Sequence, residues 1–288
     1  MWKYAVLLSY DGGAYCGWQK QKASPQIHLP SIQSTLEQAL GQMTGETSTL
    51  VGSGRTDAGV HALGQVAHFV LRAKEWDPLN LLRGLNGILP RDIRVLALQR
   101  VAIEFHAQRS AEKKQYSYYY QQGPSALPHF EPLSWWIRKK LDVTVMSAAV
   151  ESLVGEHDFK AFRASGAKPG STVRKILEAE VTFDRLPFPL IATDPSFEDS
   201  LSPLGLVRLR LIGSGFLKQM VRGIAGTLLQ VGEKRRPPEC FLEILQSQNR
   251  SLVGPTAPAR ALWLERVWYP DSFELKWQRW LTQERSVD

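Results

Sequence analysis

Residues 52–63 form a Gly-rich stretch of 12 residues that holds an Arg (Arg55) and an Asp (Asp57) two positions apart. Apolar segments that read as strands flank it. Two charges, a His and three glycines framed by apolar strands are not what a dispensable linker normally combines, and a loop of this length inside a compact domain is usually functional or disordered. Gly52, Gly54 and Gly59 permit positive φ and close approach of another backbone. No Lys follows a glycine in the Walker pattern, and the glycine spacing is not that of a dinucleotide fold, so both phosphate-binding motifs are excluded. The residue types alone leave a plainer reading open. Asp57 would then be a turn residue of a long hairpin and Arg55 a solvated charge.

Two further positions invite chemistry. Arg222 lies among Phe216, Leu217, Met220, Val221, Ile224, Ala225, Leu228 and Leu229, which surround most of a helix. A buried guanidinium needs a carboxylate, and no Asp or Glu precedes Glu233 in that helix. Asp57 is one candidate partner; an Arg at the helix edge reaching water or phosphate is the alternative. Tyr116, Tyr118 and Tyr120 share one face of a strand, a pattern that usually means core packing.

These residues must be positioned by regular elements. Residues 2–10 read as a strand. Ser31 is an N-cap for a helix with Ile32, Leu36, Ala39, Leu40 and Met43 on one face. Residues 47–51 and 65–71 read as a strand pair around the Asp57 loop. Asp77-Pro78 starts a helix with Leu79, Leu82 and Leu85, and residues 92–101 form a strand. The order is β-α-β-β-α-β. It recurs: a strand over 116–121, a helix with Val143, Met146, Val150 and Leu153 stopped by Gly155, strands over 174–183 and 206–212, helices over 216–231 and from Pro238, and a last strand over 261–269. The repeated order predicts an α+β fold of two ferredoxin-like halves. Segments 21–30 and 185–205 read as surface loops. Phe273, Trp277 and Trp280 suggest that the tail is a helix packed on the body.

The composition sets bounds. At 288 residues the chain holds one large domain or two small ones. The formal charge of +7, from 35 Lys+Arg against 28 Asp+Glu, suggests a polyanionic partner. The two cysteines, Cys16 and Cys240, form no C-x-x-C and suggest a reducing compartment. No signal-type segment and no apolar run of membrane length is present, which predicts a cytosolic chain without a membrane. No Cys/His spacing suits a metal.

GRTDAGVHA (54–62) resembles the catalytic signature of the tRNA pseudouridine synthase A (TruA) family. Further blocks follow in that family's order: YDGGAYCGWQKQ (10–21), FHAQRSA (105–111), KKQYSY (113–118), HDFKAFRA (157–164), GFLKQMVRGIAGTLLQVG (215–232) and TAPARALWL (256–264). The resemblance runs from about residue 3 to residue 270. It implies two ferredoxin-like halves sharing an extended antiparallel sheet with a central RNA-binding cleft. The halves would be residues 1–110, with the Asp loop, and 111–272, with the Tyr and Arg, followed by a tail over 273–288.

The implied reaction is isomerisation of uridine to pseudouridine in the anticodon stem-loop of tRNA, near its 3′ side, on a flipped-out nucleotide and without cofactor or metal. Asp57 would supply the carboxylate, with Arg222 opposite it, and Tyr116 would lie against the flipped base. Arg55 would fill the space the nucleotide leaves or clamp its phosphate. Lys113, Lys114, Arg163 and Lys218, with Arg174 and Lys175, are candidates for the RNA-binding surface. His61 belongs to the motif but reads more simply as structural. The resemblance also implies a homodimer binding tRNA. A catalytically silent RNA-binding protein is disfavoured by the intact Asp57, Tyr116 and Arg222. A glycoside hydrolase is disfavoured because that chemistry normally needs a second carboxylate, and no Asp or Glu appears in the blocks that hold Tyr116 and Arg222. One departure is Ala261, where the family commonly has Gly.

Overall fold

The structure is a computed structural model that describes residues 1–21, 29–164, 166, 170–185 and 205–278. Most of the loops expected over 21–30 and 185–205, together with Trp280 and the tail beyond Gln278, lie outside the described residues. The chain divides into two compact units, Met1–Lys114 with Leu264–Asp288, and Gln115–Trp263. In chain order the first unit holds β1 (Trp2–Tyr10), α1 (Ile32–Thr44), β2 (Val51–Gly52), β3 (His61–Leu71), α2 (Pro78–Ile88) and β4 (Ile93–Arg100). The second holds most of β5 (Lys113–Gln122), then β6 (Trp135–Ile137), α3 (Val143–Glu151), β7 (Gly155–Asp158), β8 (Val173–Arg185), β9 (Gly205–Gly213), α4 (Met220–Gly232) and α5 (Cys240–Ser247). The last strand, β10 (Leu262–Trp268), falls mostly in the first unit.

In the first unit the strands run β4-β1-β3-β10, with β2 beside β3. β1 pairs antiparallel with β3 from Trp2↔Leu71 to Tyr10↔Ala62 and with β4 from Tyr4↔Arg100 to Tyr10↔Ile93. The Asp57 loop therefore leaves the sheet at the Tyr10 end of β1. β10 joins β3 where Gly64 lets the Glu265 carbonyl come within 2.3 Å of where a Cβ would stand. In the second unit the order is β5-β9-β8-β7, with β6 parallel to β5. The fold is α+β.

Local chemistry explains the helix ends. The Ser31 hydroxyl accepts the Ser34 amide and Ser34 bonds back to the Ser31 amide, closing a capping box; Gly45 ends α1 at φ +75°. Asp77 caps α2 ahead of Pro78. The buried face of α2 is Leu81 and Leu85, four residues apart, whereas Leu79 is exposed, so the expected set at Leu79, Leu82 and Leu85 is off by a fraction of a turn.

Other expectations need correction. The strand over 47–51 shortens to Val51–Gly52. Ser48 replaces a ladder position, its hydroxyl donating to the Val70 carbonyl (2.7 Å) and accepting the Val70 amide (3.3 Å). The helix over 216–231 starts only at Met220, because Gln219 holds a left-handed φ of 61° and sets Phe216 and Leu217 in the preceding turn. Neither β6 nor β7 was legible as a strand. In the tail, Trp277 is buried and Phe273 meets Phe105 edge-on, with centroids 5.2 Å apart.

α4 is the buried spine of the second unit. Tyr118 and Tyr120 reach its surroundings as core residues: the Tyr120 hydroxyl donates to the Ala225 carbonyl (2.7 Å) and the Tyr118 hydroxyl to the Pro258 carbonyl (3.0 Å). Gly226 faces the Pro255 carbonyl, which stands 1.6 Å from an added Cβ, while a Cβ on Gly223 would make ordinary contacts at 3.4 Å. Gly226→Ala should therefore lower stability by more than about 3 kcal/mol, because a backbone carbonyl cannot step aside. Gly223→Ala should stay within about 1 kcal/mol of the parent, since helix propensity offsets crowding. Urea midpoints compare the two; equal midpoints would refute the close approach at Gly226.

Candidate active site

The Asp57 loop is shorter than its sequence suggested: β2 ends at Gly52 and β3 begins at His61, leaving residues 53–60. Its base is polar and buried. The Ser53 amide donates to the Val66 carbonyl (2.7 Å) and the Ser53 hydroxyl to Gln65 Oε1 (2.7 Å). Gln65 Nε2 donates to the Gly54 carbonyl (3.0 Å). Gln65 and Ser53 are wholly buried, so these bonds replace water completely and each lost partner would strand another.

The loop's crest is held by the segment after β1. The Trp18 amide donates to the Thr56 carbonyl (3.1 Å), and the Tyr10 hydroxyl is hydrogen-bonded to the Thr56 hydroxyl (2.8 Å). Burial pushes the Tyr10 phenol up to about 12, against the pull of its bonds to Thr56 and Gln65, so it remains a neutral hydroxyl at physiological pH. Two glycines make the approach possible. A Cβ on Gly12 would lie 2.1 Å from the Val60 carbonyl oxygen, and one on Gly17, at φ +100°, 2.6 Å from that of Thr56. Gly12 and Gly17 thus explain why the YDGGAYCGW block must accompany the GRTDAG block. Within the loop the Val60 amide donates to the Asp57 carbonyl (3.1 Å), closing a tight turn.

The outcome is an alternation. Thr56 is buried, Arg55 is exposed and Asp57 is half-buried. A buried Thr on a fixed backbone turns its two charged neighbours outward, which is how a rigid scaffold presents a carboxylate and a guanidinium together. His61 takes the structural part. It is 1% exposed, with Nδ1 3.2 Å from the Gly12 amide and 3.0 Å from Asp11 Oδ1. The ring nitrogen that carries the proton decides which contact is the hydrogen bond.

Tyr116 and Arg222 belong to the second unit. Tyr116 lies early in β5, and its nearly buried ring packs edge-on against Phe216, with centroids 5.0 Å apart and planes at 75°. Arg222 is half-buried in the first turn of α4. Its Nε donates to the Ala257 carbonyl (2.7 Å), and the Ala257 amide donates back to the Arg222 carbonyl (3.1 Å). The helix around it is buried, as its apolar circumference predicted.

The expected RNA-binding cations divide. Lys218 is exposed and Arg163 half-buried on adjacent segments, joined by the Ala164 amide donating to the Lys218 carbonyl (3.1 Å). Arg174 turns back on its own strand, donating to the Ser171 carbonyl, and Lys175 is exposed. Lys113 sits 4.9 Å over the Trp268 ring, which Arg266 also approaches at 4.6 Å. Lys114 donates Nζ to the Ser53 carbonyl (2.6 Å), so it braces the base of the Asp57 loop. Sequence reasoning did not single out Thr56, Gln65, Ser53 or Trp18. Their types are ordinary, and only the register of β1 against β3 brings them together.

No group of three or more His, Cys, Asp or Glu arranged to hold a metal ion occurs among the described residues, and no helix among them is long and apolar enough to cross a membrane.

Comparison with known proteins gives a consistent picture. Residues 7–108 and 149–270 match the profile of a family described as tRNA pseudouridine synthase. Tyr116, Lys113 and Lys114 fall between these two stretches, whereas Arg55, Asp57 and Arg222 fall inside them. The chain is 40% identical over 270 residues to the tRNA pseudouridine synthase A of Moorella thermoacetica, covering 92% of this chain and 98% of that one. It is 37% identical over 271 residues to that of Hydrogenovibrio crunogenus, covering 94% of each. With that of Bdellovibrio bacteriovorus it shares 37% over 277 residues, 94% of this chain and 97% of the other. A match that enters both units, and relatives aligned over nearly their whole length, place this chain in the tRNA pseudouridine synthase family.

Proposed function

We propose that this chain isomerises uridine to pseudouridine in tRNA, acting on uridines on the 3′ side of the anticodon stem-loop. The observation that carries the reading is the built loop around Thr56, with Arg55 exposed and Asp57 half-buried on either side of it. In the reaction the N1–C1′ bond of the uridine breaks, the uracil turns, and C5 bonds to C1′. C5 then loses its proton and N1 gains one. No group is imported and nothing is oxidised, so the chemistry calls for no cofactor.

Asp57 supplies the carboxylate, on the ribose or the base. Arg222 is the cation set against that charge, and its bond to the Ala257 carbonyl supports a fixed guanidinium. Tyr116 lies against the flipped uracil, backed by Phe216, and its hydroxyl takes part in moving the C5 proton. Arg55, being exposed, occupies the space that the flipped nucleotide leaves or clamps its phosphate. Lys113, Lys114, Arg163 and Lys218 contact the RNA backbone, and Lys114 also braces the loop through its bond to the Ser53 carbonyl.

The family reading extends to architecture. It assigns two ferredoxin-like halves, residues 1–110 and 111–272, sharing an extended antiparallel sheet with a central RNA-binding cleft, and a tail over 273–288. The β1-α1-β2-β3-α2-β4 order of the first unit, with β4-β1-β3 adjacent, supports the first half. The reading also assigns a homodimer that works in the cytoplasm on tRNA.

Asp57→Asn should abolish pseudouridine formation while tRNA affinity stays within about tenfold, because affinity comes mostly from phosphate contacts. Pseudouridine mapping and a binding titration on the same preparation measure both. Appreciable turnover by the verified Asn variant would end the assignment of the carboxylate.

Tyr116→Phe keeps a ring to stack on, so tRNA should bind normally, but single-turnover isomerisation should slow by about 10²–10⁴, the scale of a lost proton-transfer group. Tyr116→Ala should in addition lose about 1–3 kcal/mol of stacking. Wild-type single-turnover rates in the Phe variant would leave the ring as a platform only, and wild-type rates in the Ala variant would remove it from the site.

A further inference from the structure

Two basic stretches that belong to none of the motif blocks meet in the second unit. Arg138, Lys139 and Lys140 follow β6, and Lys234, Arg235 and Arg236 follow α4. The chain joins them at two points. The Asp142 amide donates to the Gly232 carbonyl (3.0 Å), and Lys234 Nζ pairs with Asp142 Oδ2 at 3.0 Å. The Leu141 amide donates to Gln122 Oε1 (2.7 Å), tying the same place to the end of β5. Five of the six cations are exposed and Arg236 is half-buried.

The acids nearby are few. Asp142 pairs with Lys234, and Glu233 with Arg235. The five exposed cations against these two carboxylates leave a local excess of three, and Arg236 turns away to donate to the Leu252 carbonyl. A cavity of about 510 Å³ opens here, with Lys140 and Lys234 on its wall beside Thr144 and Phe183. Like charges gathered so closely repel one another unless an anion neutralises them, and solvated surface lysines have no need of a shared concave wall.

Position tells what the anion is. The patch lies at the C-terminal ends of β5 and α4, and Tyr116 and Arg222 lie towards their N-terminal ends. At ~1.5 Å per helical residue the ten residues from Arg222 to Gly232 span about 15 Å. At ~3.3 Å per strand residue Tyr116 and Gln122 are about 20 Å apart. Along a nucleic-acid strand that advances about 3.4 Å per nucleotide, such a span takes in four or more nucleotides.

We propose that this patch binds backbone phosphates of the tRNA several nucleotides away from the target uridine, as a second grip that sets how the substrate lies along the second unit. The proposal rests on the tRNA reading above. Phosphates at that distance take no part in bond-breaking, so the patch contributes to affinity and leaves the chemical step alone.

The test combines Arg138→Gln, Lys139→Gln and Lys140→Gln in the full chain, and measures the affinity for a complete tRNA transcript across salt concentrations. Binding should weaken by about tenfold or more, and the slope of log K against log salt should flatten by about 2–3, one unit or slightly less per lost phosphate contact. The single-turnover rate at saturating enzyme should match the parent. Lys139→Gln alone should flatten the slope by about 1 and guards against misfolding of the triple variant. Equal charge loss on the first unit, at the exposed Lys74, Arg83 and Lys276, serves as the control. A slope no flatter than that of the control overturns the proposal, as does a lower saturated rate. A wild-type chain that makes no pseudouridine in tRNA would instead overturn the functional reading, so the two failures are distinguishable.

Discussion

Everything proposed for the first unit depends on how the backbone of Thr56 is held. A carboxylate on a free eight-residue loop would sample many positions, and misplacement by about 1 Å can cost 10²-fold in rate. Here the Thr56 carbonyl is taken by the Trp18 amide and its hydroxyl by Tyr10, on both sides of one peptide. The approach is so close that only glycine is tolerated at Gly12 and Gly17. Below, the buried Ser53–Gln65 pair fixes the loop's root, and Lys114 adds a further bond there. Arg55 and Asp57 inherit their placement from neighbours that do no chemistry.

Much of this was legible in sequence, for physical reasons. Ser31 and Asp77 are capping residues acting locally, so their effect does not wait on tertiary structure; Gly155, expected to stop α3, instead opens β7, the helix having ended at Glu151. α4 was read as buried because its apolar residues surround it, and Tyr118 and Tyr120 as core because they alternate. What escaped has the opposite character. The strand over 47–51 shrank because a side chain, Ser48, took over the ladder, which no hydropathy pattern encodes. The start of α4 moved because one non-glycine residue, Gln219, adopts a left-handed conformation that composition does not announce. Leu79 looked like core through its spacing of three, and the helix chose the spacing of four.

The same division runs through the site. Asp57, Arg55, Tyr116 and Arg222 are proposed from motifs whose order along the chain is itself informative. Their supports, Thr56, Ser53, Gln65 and Trp18, are residue types of no chemical note, and their parts appear only once β1 is in register with β3. Lys114 shows the limit of reading charge alone. A basic residue beside an RNA motif suggests a phosphate, and Lys114 also gives its ammonium to the Ser53 carbonyl, a structural bond that charge does not announce.

The TAPARALWL segment acquires a physical role by the same reasoning. It carries no titratable group beside Arg260, yet it and the residues before it seat α4. The Ala257 backbone bonds Arg222 twice, through Nε and through the carbonyl. One turn further on, the Gly254 amide donates to Thr227 Oγ1 (2.9 Å) and the Pro255 carbonyl fills the notch at Gly226. Gly254 must be glycine for a matching reason, since a Cβ there would lie 2.8 Å from the Thr227 amide nitrogen. The segment and the helix thus interlock along their backbones over more than a turn, and the Ala257 peptide holds the Arg222 guanidinium through its Nε. A substitution at Gly254 or Pro255 would displace that peptide, so its effect would reach the guanidinium without touching any residue assigned to the reaction.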